Sequence, residues 1–350
     1  MLKKIFPFLF IVVFIAVFSY FNGEDFLKHS EKIEEITDQK IITEWKLEEF
    51  SLEKIRELDD IEFFYTPYKP LLDEIVEKIN IAKKRVYVEV YMLTERRIKE
   101  SLVKAHRRWI DVKVVLEHSP YLAVMLNQKH FKELQEKWVN IVWSNAKNYA
   151  LNHSKIMLID DELVLSSGNF TYSTFAHNRD LFVITKDTKI VNIFTKIFNK
   201  DFIWEEFQIY DDNIILSPYS SRAKFTTMIQ WAKSDIKIYA QYLKDKQLFK
   251  IIQQKATEGV KVEIILSKNG YKQYLEAKVG SAGLQTLQVS AINNKAKMHS
   301  KAILIDKKYL FVGSINFSTS SMDSNREMWL LLRNQEIIQK FLEVFEKDKK

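Results

Sequence analysis

The chain has 350 residues, 47% of them hydrophobic and 13% aromatic, which is enough apolar surface for two sizeable cores. Its formal net charge is +7, which favours anionic partners, and it holds no cysteine, so disulfides and thiolate metal sites are excluded. No His cluster, HExxH pattern or acidic ladder offers ligands, and neither cofactor nor metal is expected.

In chain order, Lys3 and Lys4 precede an apolar run from Ile5 to Phe21, at the short end of a membrane span. No small-residue cleavage pattern follows it. Residues 1–23 are therefore expected to form an uncleaved transmembrane anchor, with its positive end cytoplasmic and the rest of the chain outside the cell membrane; a cleaved signal and a secreted protein is the alternative. Residues 24–62 carry 14 acidic and 6 basic side chains among apolar residues such as Ile33, Trp45, Phe50 and Leu52, and are expected to be an acidic helical stalk. With +2 in residues 1–23 and −8 in 24–62, the total of +7 leaves +13 on residues 63–350.

From Phe63 onward strands and helices alternate. Residues 86–91 and 111–114 read as strands around an amphipathic helix over 95–109. Residues 156–159 and 163–165 read as a buried strand and its return, joined by a polar turn at Asp160, Asp161 and Glu162. Near 210–220, Asp211-Asp212-Asn213 and Ser217-Pro218 break the pattern. The same succession then recurs, with strands at 236–241, 259–262, 302–305 and 309–312 and a helix at 246–258. This predicts an α/β fold of two duplicated lobes, residues 63–210 and 211–350, each a mixed β-sheet flanked by helices.

The repeat extends to chemistry-bearing residues. His153-Ser154-Lys155 followed by Asp160 recurs 146 residues later as His299-Ser300-Lys301 followed by Asp306. Ser167-Gly168-Asn169-Phe170 answers Gly313-Ser314-Ile315-Asn316-Phe317, and Asn178-Arg179-Asp180 answers Asn325-Arg326-Glu327. Asn169 to Asp180 and Asn316 to Glu327 are both eleven residues. This resembles the phospholipase D superfamily, whose signature is HxKxxxxD, then GSxN, then an acidic residue. The second copy fits throughout. The first has one residue fewer between Asp160 and Asn169 and ends on Asp180 in place of glutamate.

His and Lys two apart share one face of a strand. An antiparallel hairpin that sets His299 opposite Asn316 and Lys301 opposite Ser314 also sets His153 opposite Asn169 and Lys155 opposite Ser167, provided the turn at Asp160 absorbs the missing residue. The irregular first motif is then complete. Asp160 and Asp306, at the strand ends, read as turn-capping carboxylates.

These residue types suit phosphodiester chemistry without a metal. One neutral imidazole can attack phosphorus while a second, protonated one gives its proton to the departing alkoxide. Lys155, Lys301, Asn169 and Asn316 would stabilise the non-bridging oxygens. The resemblance implies that Asp180 and Glu327 hold the histidines and that His153 is the nucleophile and His299 the acid; the residues themselves do not order the two. His177 has no counterpart in the second copy, where Ser324 stands, and is left out of the site.

Three readings remain open on sequence. The leading one is a membrane-tethered phospholipase D acting on phospholipid headgroup esters by hydrolysis or transfer. The second is a nuclease of the same superfamily, suggested by the basic lobes, by Lys147, Lys295 and Lys297 ahead of the motifs, and by Tyr149 for base stacking. The third is an inactive anion-binding membrane protein.

Overall fold

The structure, a computed structural model, describes residues 50–278 and 287–349. The expected anchor over 1–23 and the stalk up to residue 49 lie outside them, and no described helix is long and apolar enough to cross a membrane.

The part of the expected stalk that is described is not a helix standing free of the lobes. From Phe50 it makes one 3-10 turn, Leu52–Lys54, and otherwise lies across the molecule. Phe50, Leu52 and Ile55 enter the core of the second lobe, and Leu58 enters the core between the lobes. Arg56 clamps Asp187 with two bonds of 2.5 and 2.6 Å. Apolar spacing that would suit an amphipathic helix is satisfied here by a surface already present, so packing overrides local pattern.

The first sheet contains β1 (Ile61–Tyr65), β2 (Arg85–Val90), β3 (Asp111–Leu116), β4 (Asn140–Trp143), β5 (Lys155–Ile159), β6 (Glu162–Ser166) and β8 (Leu181–Thr185), in the order β1-β8-β6-β5-β2-β3-β4. A two-residue strand, β7 (Asn178–Arg179), stands apart from it. Helices α1 (Lys69–Ile81) and α2 (Arg96–Arg107) are crossovers into parallel β2 and β3, and α3 (Val124–Gln135) leads into β4. The short α4 (Tyr172–Ala176) and the long α5 (Thr188–Phe202) complete the first half.

The second half repeats the plan. Its strands are β9 (Ile214–Ser217), β10 (Asp235–Ala240), β11 (Lys261–Leu266), β12 (Leu287–Ala291), the short β13 (Lys297–Met298), β14 (Ala302–Ile305), β15 (Tyr309–Gly313) and β16 (Glu327–Leu332). Apart from β13 they form one sheet, ordered β12-β11-β10-β14-β15-β16-β9. Helices α6 (Ser221–Trp231), α7 (Lys246–Thr257), α8 (Lys268–Lys278), α9 (Thr319–Asp323) and α10 (Gln335–Lys349) flank it.

The strands are apolar on both faces because both are covered. In β5, Met157 and Ile159 pack outward against α1 and α2, while Ile156 and Leu158 face a core shared with the second lobe. Ala302, Leu304, Leu310 and Val312 meet them there, along with Phe194 and Phe198 of α5 and Phe341 and Phe345 of α10. The two sheets therefore share one continuous core.

In both hairpins the register is one residue away from the expected one. Ile156 opposes Leu165, and Ala302 opposes Val312. His153 is thus not set squarely opposite Asn169, nor Lys301 opposite Ser314. The two hairpins nonetheless match each other, and the missing residue is absorbed in the turn: Ile159 pairs with Glu162 across two residues, Ile305 with Tyr309 across three.

Asp160 and Asp306 take left-handed backbone angles at these turns, with φ of 50° and 51°. Asp160 accepts backbone N–H groups from Lys83, Lys84 and Arg85, and Asp306 accepts them from Lys233, Ser234 and Asp235. Each carboxylate thus pins the loop that launches the neighbouring strand. Asp160→Ala and Asp306→Ala should each lower stability by about 1–3 kcal/mol in denaturant titrations, the cost of orphaning those donors. An unchanged midpoint in both variants would remove the structural role.

Candidate active site

The lobes are stitched together by short parallel pairings, β13 with β7 and Asn152 with Arg326. Through them the His153 N–H donates to the Arg326 carbonyl at 2.8 Å, and the His299 N–H to the Arg179 carbonyl at 3.1 Å. Each histidine is therefore carried on a segment zipped to the other lobe.

The side chains cross as well. His153 Nδ1 lies 2.8 Å from Glu327 Oε2, and His299 Nδ1 lies 2.9 Å from Asp180 Oδ1. Both carboxylates are fully buried. Asn325 steadies Glu327 at 3.3 Å, and the Ser167 hydroxyl donates to Asp180 at 2.8 Å. Ser167 and Ser314 also accept the N–H groups of Leu181 and Met328, so these serines fasten the carboxylate-bearing segments.

Lys155 and Lys301 are buried and fold back on their own motifs: Lys155 Nζ bonds the His153 carbonyl, and Lys301 Nζ bonds the carbonyls of His299 and Ser167. Asn169 and Asn316 each bury an amide oxygen that accepts no hydrogen bond among the described residues. His153, His299, Lys155, Lys301, Asp180 and Glu327 thus form one cluster built from both lobes, with the two asparagines on the loops that follow β6 and β15. His177 is exposed and meets Tyr172 edge-on.

Burial dominates the electrostatics. It pushes His153 down to about 4 against the pull of Glu327, and lowers His299 against the pull of Asp180. It lowers Lys301 to about 8 and Lys155 well below the usual lysine range. Asp180 is lowered overall: burial alone would raise it, but His299, Lys301 and Ser167 outweigh that.

Sequence reasoning missed several supports. Tyr91 packs edge-on against His153 at 4.8 Å and lies under the Lys155 ammonium at 5.3 Å. Arg326 pairs with Asp201 of α5 at 2.8 and 3.0 Å, and Arg179 pairs with Asp348 of α10 at 2.6 and 2.8 Å, again across the lobes. A signal was present: Arg179 and Arg326 directly precede the paired acidic residues, and Asp201 and Asp348 are spaced like Asn169 and Asn316. Tyr149, expected to be free for base stacking, is instead buried beneath Arg326 at 5.1 Å with its hydroxyl 3.1 Å from that of Tyr219. Lys147, Lys295 and Lys297 are exposed. Among the described residues no group of three or more His, Asp or Glu could hold a metal ion.

The sequence pattern of the family described as "Cardiolipin synthase, PLD-like domain" matches residues 75–202 and again 225–349. The chain belongs to the phospholipase D superfamily. Mitochondrial cardiolipin hydrolase of Mus musculus is 28% identical over 128 residues, 37% of this chain and 58% of that protein. Phospholipase D of Rickettsia prowazekii (strain Madrid E) is 28% identical over 129 residues, 36% of this chain and 60% of that protein. The chain thus spans about three fifths of the length of these curated relatives. The crystal structure of phosphatidylserine synthase from Haemophilus influenzae Rd KW20 superposes with a TM-score of 0.66 at 14% identity, covering 84% of this chain and 87% of that one. That likeness is one of fold.

The superfamily seam contains one asymmetry with a measurable consequence. In the second lobe the Tyr239 hydroxyl donates to Asp348 at 2.7 Å. At the equivalent place in the first lobe Glu89 lies beside Asp201, fully buried, and burial followed by the Asp201 charge raises it to about 8. A carboxyl thus takes the place of the phenol, accepting from the Asn152 amide at 2.8 Å. Because the folded form binds that proton more tightly than the unfolded form, Glu89 removes stability as pH rises from about 4.5 to about 8. Glu89→Gln keeps a donor without the ionisation, so its stability relative to the parent should climb over that window by up to about 1 kcal/mol per pH unit. A difference independent of pH would refute the protonated carboxyl.

Proposed function

We propose that the chain is a phosphodiesterase of the phospholipase D type that cleaves phospholipid headgroup esters through a phosphohistidine intermediate. The observation that carries this reading is the crossed pair of Nδ1-to-carboxylate bonds, which orients both imidazoles and leaves the Nε2 of His153 for the substrate, with that of His299 lying 3.4 Å from Lys301 Nζ. His153 attacks phosphorus through Nε2; the P–O bond to the alcohol breaks, and His299, protonated against the lowering effect of burial with Asp180 behind it, delivers the proton the alkoxide takes up. A water, or an acceptor alcohol, then attacks the phosphorus with His299 taking its proton, and the N–P bond breaks to restore His153.

Lys155, Lys301, Asn169 and Asn316 hold the non-bridging oxygens in this scheme. Burial makes the two ammonium groups release protons readily, and an anionic diester offsets that by drawing them back to the charged form. Asp180 and Glu327 act through the histidines as positioning residues.

The lipid class is supported by the relatives, a mitochondrial cardiolipin hydrolase and a phospholipase D. In this reading residues 1–23 tether the lobes to the outer side of the cell membrane, next to the substrate. A nuclease of the same superfamily is the second reading, favoured by the exposed Lys147, Lys295 and Lys297 on lobes carrying +13.

If one site needs both lobes, His153→Ala and His299→Ala should each cut headgroup release from vesicles by about 10³-fold or more, since nucleophile and acid act as a unit. Half the activity surviving in either variant would mean two independent sites. Quenched turnover of His299→Ala should trap a phosphatidyl group on His153, and a phosphatidyl group mapped to residue 299 in His153→Ala would reverse the roles. Strong cleavage of single-stranded oligonucleotides with no headgroup release would replace the lipid reading with the nuclease.

Activity should also persist in EDTA, because imidazole and lysine supply the acid, nucleophile and charge that a divalent ion would provide. Loss that added zinc or magnesium restores would sink the metal-free scheme.

A further inference from the structure

The carboxyl ends of parallel β2 and β3 border the site, since Lys155 pairs with Val90 at the end of β2. After β3 the chain enters a segment that leaves its apolar side chains in water. Tyr121, Leu122 and Met125 are 80%, 89% and 77% exposed, and Leu126 follows on the first turn of α3. Leu122 has a φ of 55°, the left-handed region that a leucine rarely adopts. A strained, outward-projecting leucine contributes nothing to the core, which directs attention to what lies outside the chain.

This segment is wired to the site. The Tyr121 N–H donates to the Tyr91 hydroxyl at 2.5 Å, and the Asn127 amide donates to the carbonyls of Tyr91 and Glu117, both at 2.8 Å. Tyr91 is the ring packed on His153. Among the described residues the second lobe shows no counterpart: β11 ends at Leu266, and α8 opens almost at once with Lys268, Asn269 and Gly270.

We infer that Tyr121, Leu122, Met125 and Leu126 are a docking surface that enters the hydrocarbon edge of a phospholipid bilayer bearing anionic headgroups, and so brings a headgroup phosphate to His153. The inference rests on the lipid reading of the site. Leu122, Met125 and Leu126 match acyl chains, and Tyr121, with its polar tip, suits the headgroup boundary. Lys129 stands on the rim with its side chain 68% exposed, and the lobes carry +13, which complements lipid phosphates. A diacyl lipid whose phosphorus reaches His153 keeps its chains in the bilayer, so the apolar surface has to adjoin the site. Exposed Trp109 and Trp138 cannot serve, because they precede β3 and β4 and lie at the opposite ends of those strands.

The absence of cysteine gives a clean test in the full chain. Leu122→Cys, Met125→Cys and Trp109→Cys, each combined with His153→Ala so that no turnover occurs, are labelled with an environment-sensitive fluorophore. They are then mixed with phosphatidylcholine–phosphatidylglycerol vesicles, with and without acyl-chain nitroxide lipid. Circular dichroism matching the parent establishes the fold. Blue-shifted emission at 122 and 125, quenched by the nitroxide, with no change at 109, supports the docking surface. No shift at 122 and 125, a shift at 109 in their place, or a shift with single-stranded DNA and not with vesicles overturns it.

In the active chain, Leu122→Asp with Met125→Asp should lower turnover on vesicles by about tenfold or more, the equivalent of losing one buried apolar side chain. Turnover of the water-soluble bis(p-nitrophenyl) phosphate should be unchanged, and an equal loss on both substrates overturns the proposal. Insertion without headgroup release would refute the lipid activity alone, and release without insertion would refute the docking surface alone.

Discussion

Glu327 belongs to the second lobe and holds His153 of the first, while Asp180 of the first holds His299 of the second. Either lobe taken alone would lack the carboxylate that holds its histidine by Nδ1. The same exchange recurs one residue earlier in the chain, where Arg326 reaches Asp201 and Arg179 reaches Asp348. Removing one member of a buried pair typically costs about 3–5 kcal/mol, because the other charge stays buried and uncompensated. Four such pairs cross between the lobes, so the constraint that orients the imidazoles also joins the two halves.

Much of this plan was legible in the sequence because duplication doubles every signal. A lone histidine is ambiguous, but His153 and His299 each carry the same lysine, serine, asparagine and acidic residue in order. The absorption of the missing residue in the turn at Asp160 followed from the same comparison. The hairpin register did not, and the reason is physical. Residues 156–159 are apolar without a break because both faces of β5 are buried, so alternation gives no phase to distinguish one register from its neighbour. Residues 50–58 were misread for a related reason: their apolar spacing suits a helix, but the surface that covers them comes from chain more than 120 positions away, such as Asp187 for Arg56. Which carboxylate serves which histidine is also a long-range fact, as 174 residues separate His153 from Glu327.

The duplication is not a perfect copy, and several of its departures fall around the two histidines. Two identical imidazoles would titrate together, whereas nucleophile and acid must begin in opposite states. The shorter Asp180 lies hard against Gly168, where a β-carbon would come within 2.4 Å of its Oδ2, while the longer Glu327 faces a loop with Ile315 at that position. The first carboxylate therefore bonds His299 with Ser167 beside it, and the second bonds His153 with Asn325 beside it. Behind these cradles, Glu89 stands in one seam where Tyr239 stands in the other. The apolar segment at Tyr121 is bonded to Tyr91 beside His153 and has no equivalent in the second lobe among the described residues. An arrangement symmetric in backbone is thus unequal in the groups that hold its two carboxylates and in the residues buried behind them.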